Sequence, residues 1–483
     1  MNHNELGTYL YQDDIQNLFL GASSKLYDAV AHTIGPNGSN TAIPTSNGFL
    51  SIINDGKTIL ETISSANFAE KFAINTLKES SYATNLEAGD GTSTTIVLQH
   101  NLLLSILNYN RVSNNKITPR RLEEIRDYLL DKLKGYRKDL TTDEDLKNVI
   151  TVALGSDKFT DIVFDAFKGL AGNQKPALVK VNNQSHTDCT VIDGLNLSPV
   201  EINPVVTKSI SPAKDEPLDI IILNQEVSRI DNAFAGLLQK ISKSNKKTIL
   251  LYTDIKGGVM DQLLFNIQEG ALNLIPVRLA MPITDIPTII SDLEDYFGCK
   301  AFTDLFPYQT NYKDENIVGS GIGYIMNKDS IVIKNDNENY NDPNTQPHLL
   351  PSKSSVVQVG FITFSQQAED YRRLEDAIQS AYNAINYGYV LGAGYTYFCL
   401  AEELSDEEID KPIKEALQVI FGKLSPSNLS MIQFINRIES GVFDSYKVAE
   451  QVILNSFTVV SQILSTNCLL VPYQRNRVTG ELE

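Results

Sequence analysis

The sequence predicts a multidomain fold in which a mainly helical domain, built from both termini, brackets an α/β middle. Three observations lead there. At 483 residues the chain outgrows one compact core, and about three domains are expected. Helical periodicity dominates both ends of the chain. Between about residues 175 and 330, short β-rich runs alternate with helix-like segments, the pattern of an α/β layer.

Taken in order, Ile15, Leu18, Phe19, Ala22, Leu26, Ala29 and Val30 recur at helical spacing and predict an amphipathic helix over residues 11–31. It stops at the turn formers Gly35-Pro36-Asn37-Gly38. Residues 41–53 read as β structure, interrupted by Ser46-Asn47-Gly48 in a hairpin. After Gly89-Asp90-Gly91, residues 92–107 are apolar nearly all round, so this helix belongs in the middle of a domain. Thr118-Pro119 supplies an N-cap and a proline at the first helical position. Thr141 with Glu144 fits a capping box for the next helix. In the middle, strands are expected at 177–181, 219–223 and 248–252, and helices at 230–241, 259–267 and 288–297. Residues 335–353, rich in Asn, Asp and Pro, read as a mobile loop. A helical stripe of Tyr371, Leu374, Ile378, Ala381, Tyr382 and Ile385 then returns over 368–387, and the chain is mostly helical from Lys411.

Composition excludes several classes. A formal charge of −18 argues against a binder of nucleic-acid phosphates, which needs a basic face. No apolar run approaches a membrane helix, and the first residues show no secretory pattern, so a cytoplasmic protein is expected. Cys189, Cys299, Cys399 and Cys468 lie far apart, as do the five histidines, so reduced thiols in or near cores are expected rather than zinc or disulfides.

The sharpest local signal is Ala88-Gly89-Asp90-Gly91-Thr92-Ser93-Thr94-Thr95. Glycines allow close backbone approach, and free amides at a helix start favour phosphate. The hydroxyls can bond phosphate oxygens, and Asp90 could hold Mg²⁺. A glycine turn with Thr and Ser capping would look the same. Gly56-Lys57-Thr58 resembles the end of a P-loop, but Ser51 stands where the first glycine is required. Asp55 reads as a turn aspartate. Asp376 falls almost opposite the apolar stripe of its helix, where a solvated aspartate paired with Arg372 or Arg373 is expected.

Together these motifs resemble one family. Thr33-Ile34-Gly35-Pro36-Asn37-Gly38-Ser39-Asn40 resembles the chaperonin T-L-G-P-K-G-R-N segment, Asn54-Asp55-Gly56 its (K/N)-D-G, and Gly89–Thr94 its G-D-G-T-T-T. Downstream, Leu374-Glu375-Asp376-Ala377 resembles V-E-D-A, Gly392-Ala393-Gly394 resembles G-G-G, and residues 441–448 resemble G-I-L-D-P-T-K-V. In this order they point to a compact, divergent GroEL-type (group I) chaperonin, with likeness from about residue 10 to 472.

The resemblance implies an ATP-dependent chaperone with Mg²⁺, and allows K⁺. Thr33, Ile34, Gly35 and Pro36, with Asp90, Gly91, Thr92, Ser93 and Thr94, would cradle ATP, and Asp90 would hold the metal. Asp55 and Asp376 would position and polarise water. Gly392, Ala393, Gly394 and Asp444 would hold the ribose and base. The implied chaperonin fold has a mainly helical equatorial domain (1–137 and 389–483), a small α/β intermediate domain (138–193 and 361–388) and an α/β apical domain (194–360), with Gly194, Gly360 and Gly388 near the hinges. Unfolded polypeptides would bind at Leu238, Met260, Leu264 and Phe265, since the last three fall off the core stripe Val259, Leu263 and Ile267. Self-association into a ring of roughly seven subunits, single or double, is implied, as homo-oligomers close by symmetry.

Several departures are visible. Asn54 and Ala393 replace a family lysine and glycine, about two dozen residues that the resemblance leads one to expect are absent around Lys423–Asn428, and Asn428 is only a weak candidate for the family's adenine-contacting asparagine. Asn196, Val200 and Glu201 replace apical aromatic residues, which puts dependence on a co-chaperonin in doubt. A ring scaffold or passive holdase with the same fold is the alternative function.

Overall fold

The computed structural model describes residues 8–35, 38–44, 50–168, 170, 175–181, 184–211, 213–244, 246–282, 284–303, 317–327, 330–335, 350 and 353–471. Its packing separates two compact units, Met1–Phe164 with Ala368–Glu483, and Asp165–Gln367.

The amino-terminal arm of the first unit runs β1 (Thr8–Tyr11), α1 (Gln12–Val30), β2 (Thr41–Pro44), β3 (Leu50–Ile53), α2 (Gly56–Thr62), α3 (Phe68–Ala88), α4 (Thr92–Val112), α5 (Pro119–Tyr136) and α6 (Asp143–Leu154). Of the residues its periodicity singles out, α1 buries Ile15, Phe19, Ala22, Leu26 and Val30, while Leu18 and Ala29 are half-buried at the edge of the core. α4 is enclosed: Ile96, Val97, Leu98, Leu102, Leu103 and Ile106 are wholly buried. The polar groups it takes inside are satisfied. Ser80 Oγ donates to Gln99 Oε1 at 2.6 Å, Gln99 Nε2 donates to the Leu77 carbonyl, and His100 Nδ1 lies 3.0 Å from Ser23 Oγ. Thr118 caps α5 with proline following, as expected. The capping box of α6 sits one residue later than expected. Thr142 is the cap and Asp145 its partner, not Thr141 and Glu144. β2 and β3 pair antiparallel, while the Ser46-Asn47-Gly48 turn lies outside the described residues.

The chain leaves this unit through α7 (Thr160–Lys168). The second unit then comprises β4 (Ala177–Lys180), β5 (Asp188–Asp193), β6 (Leu195–Leu197), β7 (Val200–Ile202), α8 (Pro204–Ser209), β8 (Ala213–Lys214), β9 (Leu218–Val227), α9 (Asn232–Lys243), β10 (Lys247–Ile255), α10 (Gly257–Gln268), β11 (Leu274–Leu279), α11 (Ile286–Phe297), β12 (Phe302–Thr303), β13 (Gly319–Gly321), β14 (Gly323–Met326), β15 (Ile331–Lys334) and β16 (Lys353–Val359). Its main sheet runs β12-β9-β10-β11-β7, with β13 also paired to β9. The β9-β10-β11 core is parallel and joined by α9 and α10, and the apolar runs Ile220–Leu223 and Ile249–Leu251 are buried because helices cover both faces. Two smaller sheets, β6-β15-β14-β8 and β4-β16-β5, complete the unit. Most of the Asn- and Pro-rich segment 335–353 lies outside the described residues.

Return to the first unit comes along α12 (Phe364–Tyr387), followed by β17 (Tyr389–Leu391), α13 (Tyr395–Glu402), α14 (Lys411–Leu424), α15 (Met431–Glu439), β18 (Phe443–Ser445), α16 (Tyr446–Ser465) and β19 (Cys468–Val471). Both α14 and α16 pack on α4, so the two arms share one core. The outermost strands, β1 and β19, pair antiparallel. All four cysteines are free. Cys299 is buried as expected, but Cys468 is exposed on β19.

Candidate functional site

Four chain segments meet in the first unit at the start of α4. Gly89 ends α3 and Gly91 opens α4, both in the left-handed region (φ +73° and +93°), so Asp90 sits at a sharp corner that only glycines permit on either side. Gly91 N donates to Asp90 Oδ1 at 2.5 Å. Among the described residues no side chain caps α4, which leaves its first amides to an outside acceptor. Thr92 is buried, while Ser93 and Thr94 are half-buried.

The second segment follows α1. Thr33 Oγ1 donates to the Val30 carbonyl at 2.8 Å and lies 3.3 Å from Ser93 Oγ. Ile34 packs against the main core, and the Leu424 side chain fills the space a Cβ on Gly35 would need. Pro36 lies outside the described residues.

The third segment is the start of α2. Asp55 caps it: Oδ1 accepts from Lys57 N at 3.0 Å, and Oδ2 from Thr58 N at 3.0 Å and from the Thr58 hydroxyl. This confirms the turn aspartate and explains the false P-loop, since Gly56-Lys57-Thr58 is a capped helix start. A Cβ on Gly56 would fall 2.1 Å from Ser93 Oγ, so glycine lets α2 approach α4.

The fourth is α12. Asp376 is half-buried, and it is not paired with Arg372 or Arg373 as the sequence suggested. Arg372 bonds the Ala368 carbonyl and Thr58 Oγ1, and Arg373 bonds Glu369. The polar face of α12 is turned toward the Gly89–Gly91 corner instead of water: Asn383 Nδ2 donates to the Ala88 carbonyl at 2.8 Å, and Gln379 occupies the space beside Gly89.

The carboxylates feel one another. Burial pushes the Asp90 carboxyl above the usual range, and the Asp55 charge adds to this. Burial, then the charges of Asp90, Asp55 and Glu375, hold Asp376 well above that range, with Lys57 opposing. Burial takes Asp444 up to about 7, with Asp90 contributing. Asp444 lies on β18, paired with β17, and its carboxylate is 3.0 Å from where a Cβ on Gly392 would stand. Ala393 has φ +51°, the one non-glycine residue in the left-handed region among the described residues, and Gly394 follows at +74°. The charges of these acids reach one another across the corner, with Lys57 opposing, and a hard cation there would draw on one or two of them. Among the described residues no three His, Cys, Asp or Glu groups close a metal cage. That donor set matches the habit of Mg²⁺, which takes one or two carboxylates and leaves the rest to phosphate and water.

The model of the TCP-1/cpn60 chaperonin family matches residues 26–276, over half of the chain. The chain belongs to that family. This chaperonin is 23% identical to the chloroplastic chaperonin GroEL of Gracilaria tenuistipitata var. liui, over 95% of the chain and 98% of that protein. Its fold is similar to that of the chaperonin gp146 from bacteriophage EL 2 (Pseudomonas aeruginosa), solved in the presence of ATP-BeFx in two crystal forms, with TM-scores of 0.71 and 0.67 at 16% identity, covering 96% of this chain and 99% of that one. The chaperonin fold and a chaperone role follow, and the helical and α/β parts expected from the sequence are those of that fold.

Of the residues expected around Asp90, Thr33 meets Ser93, Asp55 caps the helix whose Gly56 meets Ser93, and Gly392 meets Asp444. Reasoning from sequence missed Lys57, Gln379 and Asn383. Asn383 could have been found from its spacing, since Asp376 and Asn383 stand seven residues apart and share a helix face. In the second unit, α10 buries Val259, Leu263 and Ile267, as its stripe predicted. Met260 and Leu264, with Leu238 on α9, are half-buried, and Phe265 is 62% exposed. Asn428 is exposed after α14.

Proposed function

We propose that this chaperonin subunit binds and hydrolyses ATP with Mg²⁺ at the Asp90 site and couples hydrolysis to the binding and refolding of non-native polypeptides. The observation that carries the reading is the glycine-flanked Asp90 corner at the uncapped start of α4, against which the Asp55–Gly56 helix start and the Asp376 face of α12 are packed. Thr33–Pro36 and Asp90–Thr94 would cradle the phosphates, with Asp90 on the metal, and Asp444 with the Gly392–Gly394 turn would hold the nucleoside. When bound, Mg²⁺ supplies charge neutralisation to the phosphates. Both oxygens of Asp55 are engaged in capping α2, so its part is a fixed negative charge that orients water. Asp376 has no such engagement among the described residues, and its raised proton affinity suits the group that would accept the attacking water's proton as that oxygen bonds the terminal phosphorus and the bond to the departing ADP oxygen breaks.

Three-domain organisation follows the family, with the equatorial, intermediate and apical boundaries expected from the sequence. Phe265, with Leu238, Met260 and Leu264 around it, would grip apolar segments of clients, in a homo-oligomeric ring in the cytoplasm. The test compares steady-state ATP hydrolysis by the purified assembly, wild type and Asp376→Ala, with binding of an unfolded protein followed in parallel. The variant is expected to bind nucleotide yet turn over at least tenfold more slowly, a barrier increase of about 1.4 kcal/mol or more. If both are inactive while unfolded protein still binds, a passive holdase or ring scaffold replaces the folding machine.

A further inference from the structure

We propose that Arg372 is a positioning residue for hydrolysis, tying α12 through the Thr58 hydroxyl to the Asp55 cap and so holding Asp376 at the Asp90 corner; this rests on the ATP-hydrolysis reading above. Arg372, Asp376, Gln379 and Asn383 stand at i, i+4, i+7 and i+11, within about 60° on one helix face. The face is fastened at two points. At one end Arg372 Nη1 donates to Thr58 Oγ1 at 3.3 Å, and that hydroxyl donates onward to Asp55 Oδ2. At the other, buried Asn383 donates to the Ala88 carbonyl, and the Gln379 stem lies where any side chain on residue 89 would collide.

Asp376 lies between the two fastenings. Arg372 reaches past its own i+4 acid to another helix, so its guanidinium places α12 and leaves the acid unneutralised. Without that bond, the face loses its fastening one turn from Asp376, and the Asn383 fastening stands seven residues, or roughly 10 Å of helix, away from that acid. Displacement of about 1 Å at a reacting group can cost up to a hundredfold in rate, so the loss belongs in kcat.

The test uses the intact assembly with Arg372→Ala, Thr58→Val, Thr58→Ser and the Arg372→Ala/Thr58→Val double variant. The expected result is a kcat lowered about tenfold or more in Arg372→Ala and Thr58→Val, with KM for ATP shifted less than about threefold. The double variant should be no slower than Thr58→Val alone, because losing the Thr58 hydroxyl already removes the bond that Arg372→Ala breaks. Thr58→Ser, which keeps the hydroxyl, should restore the rate. Amide hydrogen exchange on the nucleotide-free protein is read alongside, with faster exchange over residues 372–383 expected in the two damaging variants. Unchanged kcat and exchange in Arg372→Ala, beside an active wild type, overturns the proposal and leaves the hydrolysis reading standing. So do strictly additive effects in the double variant. If wild type hydrolyses no ATP, the hydrolysis reading falls and takes the catalytic part of the proposal with it. Exchange then judges the fastening alone, and unchanged exchange removes that too.

Discussion

Asp444 shows how a single residue of this site is tuned by its surroundings. Its proton affinity is raised to about 7, first by burial and then by the charge of Asp90. An unfolded aspartate titrates near 4, so between about pH 4 and 7 the folded protein holds more protons than the unfolded one. Stability from this residue is therefore full below about pH 4 and is lost as pH rises through about 7. Asp444→Asn is expected to flatten that slope in nucleotide-free protein, and to be more stable than wild type at pH 8 by about 2 kcal/mol, read from urea melts at pH 5 and 8. Identical slopes would contradict the burial of this charge. At this scale the sequence was legible where chemistry repeats a pattern. Gly89-Asp90-Gly91 announced its corner because glycine has few other uses there. Spacing alone sent Asp376 toward solvent, and only the family resemblance gave it a role, because a polar face turned toward other acids has the same spacing as one turned toward water.

Helices carry the next level of argument. In α6 the carboxylate of Asp145 accepts from the amides of both Thr141 and Thr142, while Thr142 Oγ1 accepts from Asp145 N. Two threonines followed by three acids offer alternative registers for one box, which is why the sequence reading placed it a residue early. Thr142→Ala should cost about 1 kcal/mol in thermal or urea unfolding, and Thr141→Ala much less. Equal costs would return the cap to Thr141. Where burial is total, as in α4, element type and position were readable from composition alone. Which helices would surround it was not, because an all-round apolar surface carries no direction.

Across the whole molecule, the order of strands in the second unit could not be read from sequence. β9 pairs with β10, β12 and β13, and nothing in an apolar run such as Ile220–Leu223 encodes its neighbours. The outer surface of α10 was more legible, since apolar residues beyond the core stripe must go somewhere. Phe265 is 62% exposed, so Phe265→Ser should leave the melting temperature within about a degree, as surface changes do, while weakening capture of an unfolded test protein severalfold. A large loss of stability, or unchanged capture, would remove Phe265 from the client surface.

The discontinuous helical unit also sets a timetable. α4 is completed by α14 and α16, and roughly 300 residues separate it from α14, about 15 to 60 s of translation. For that interval the nascent subunit carries an apolar helix covered only on the side of α1, α2 and α3, the kind of surface its finished form is proposed to capture. Synthesis of each new subunit thus creates a demand for the same protection that earlier copies would provide.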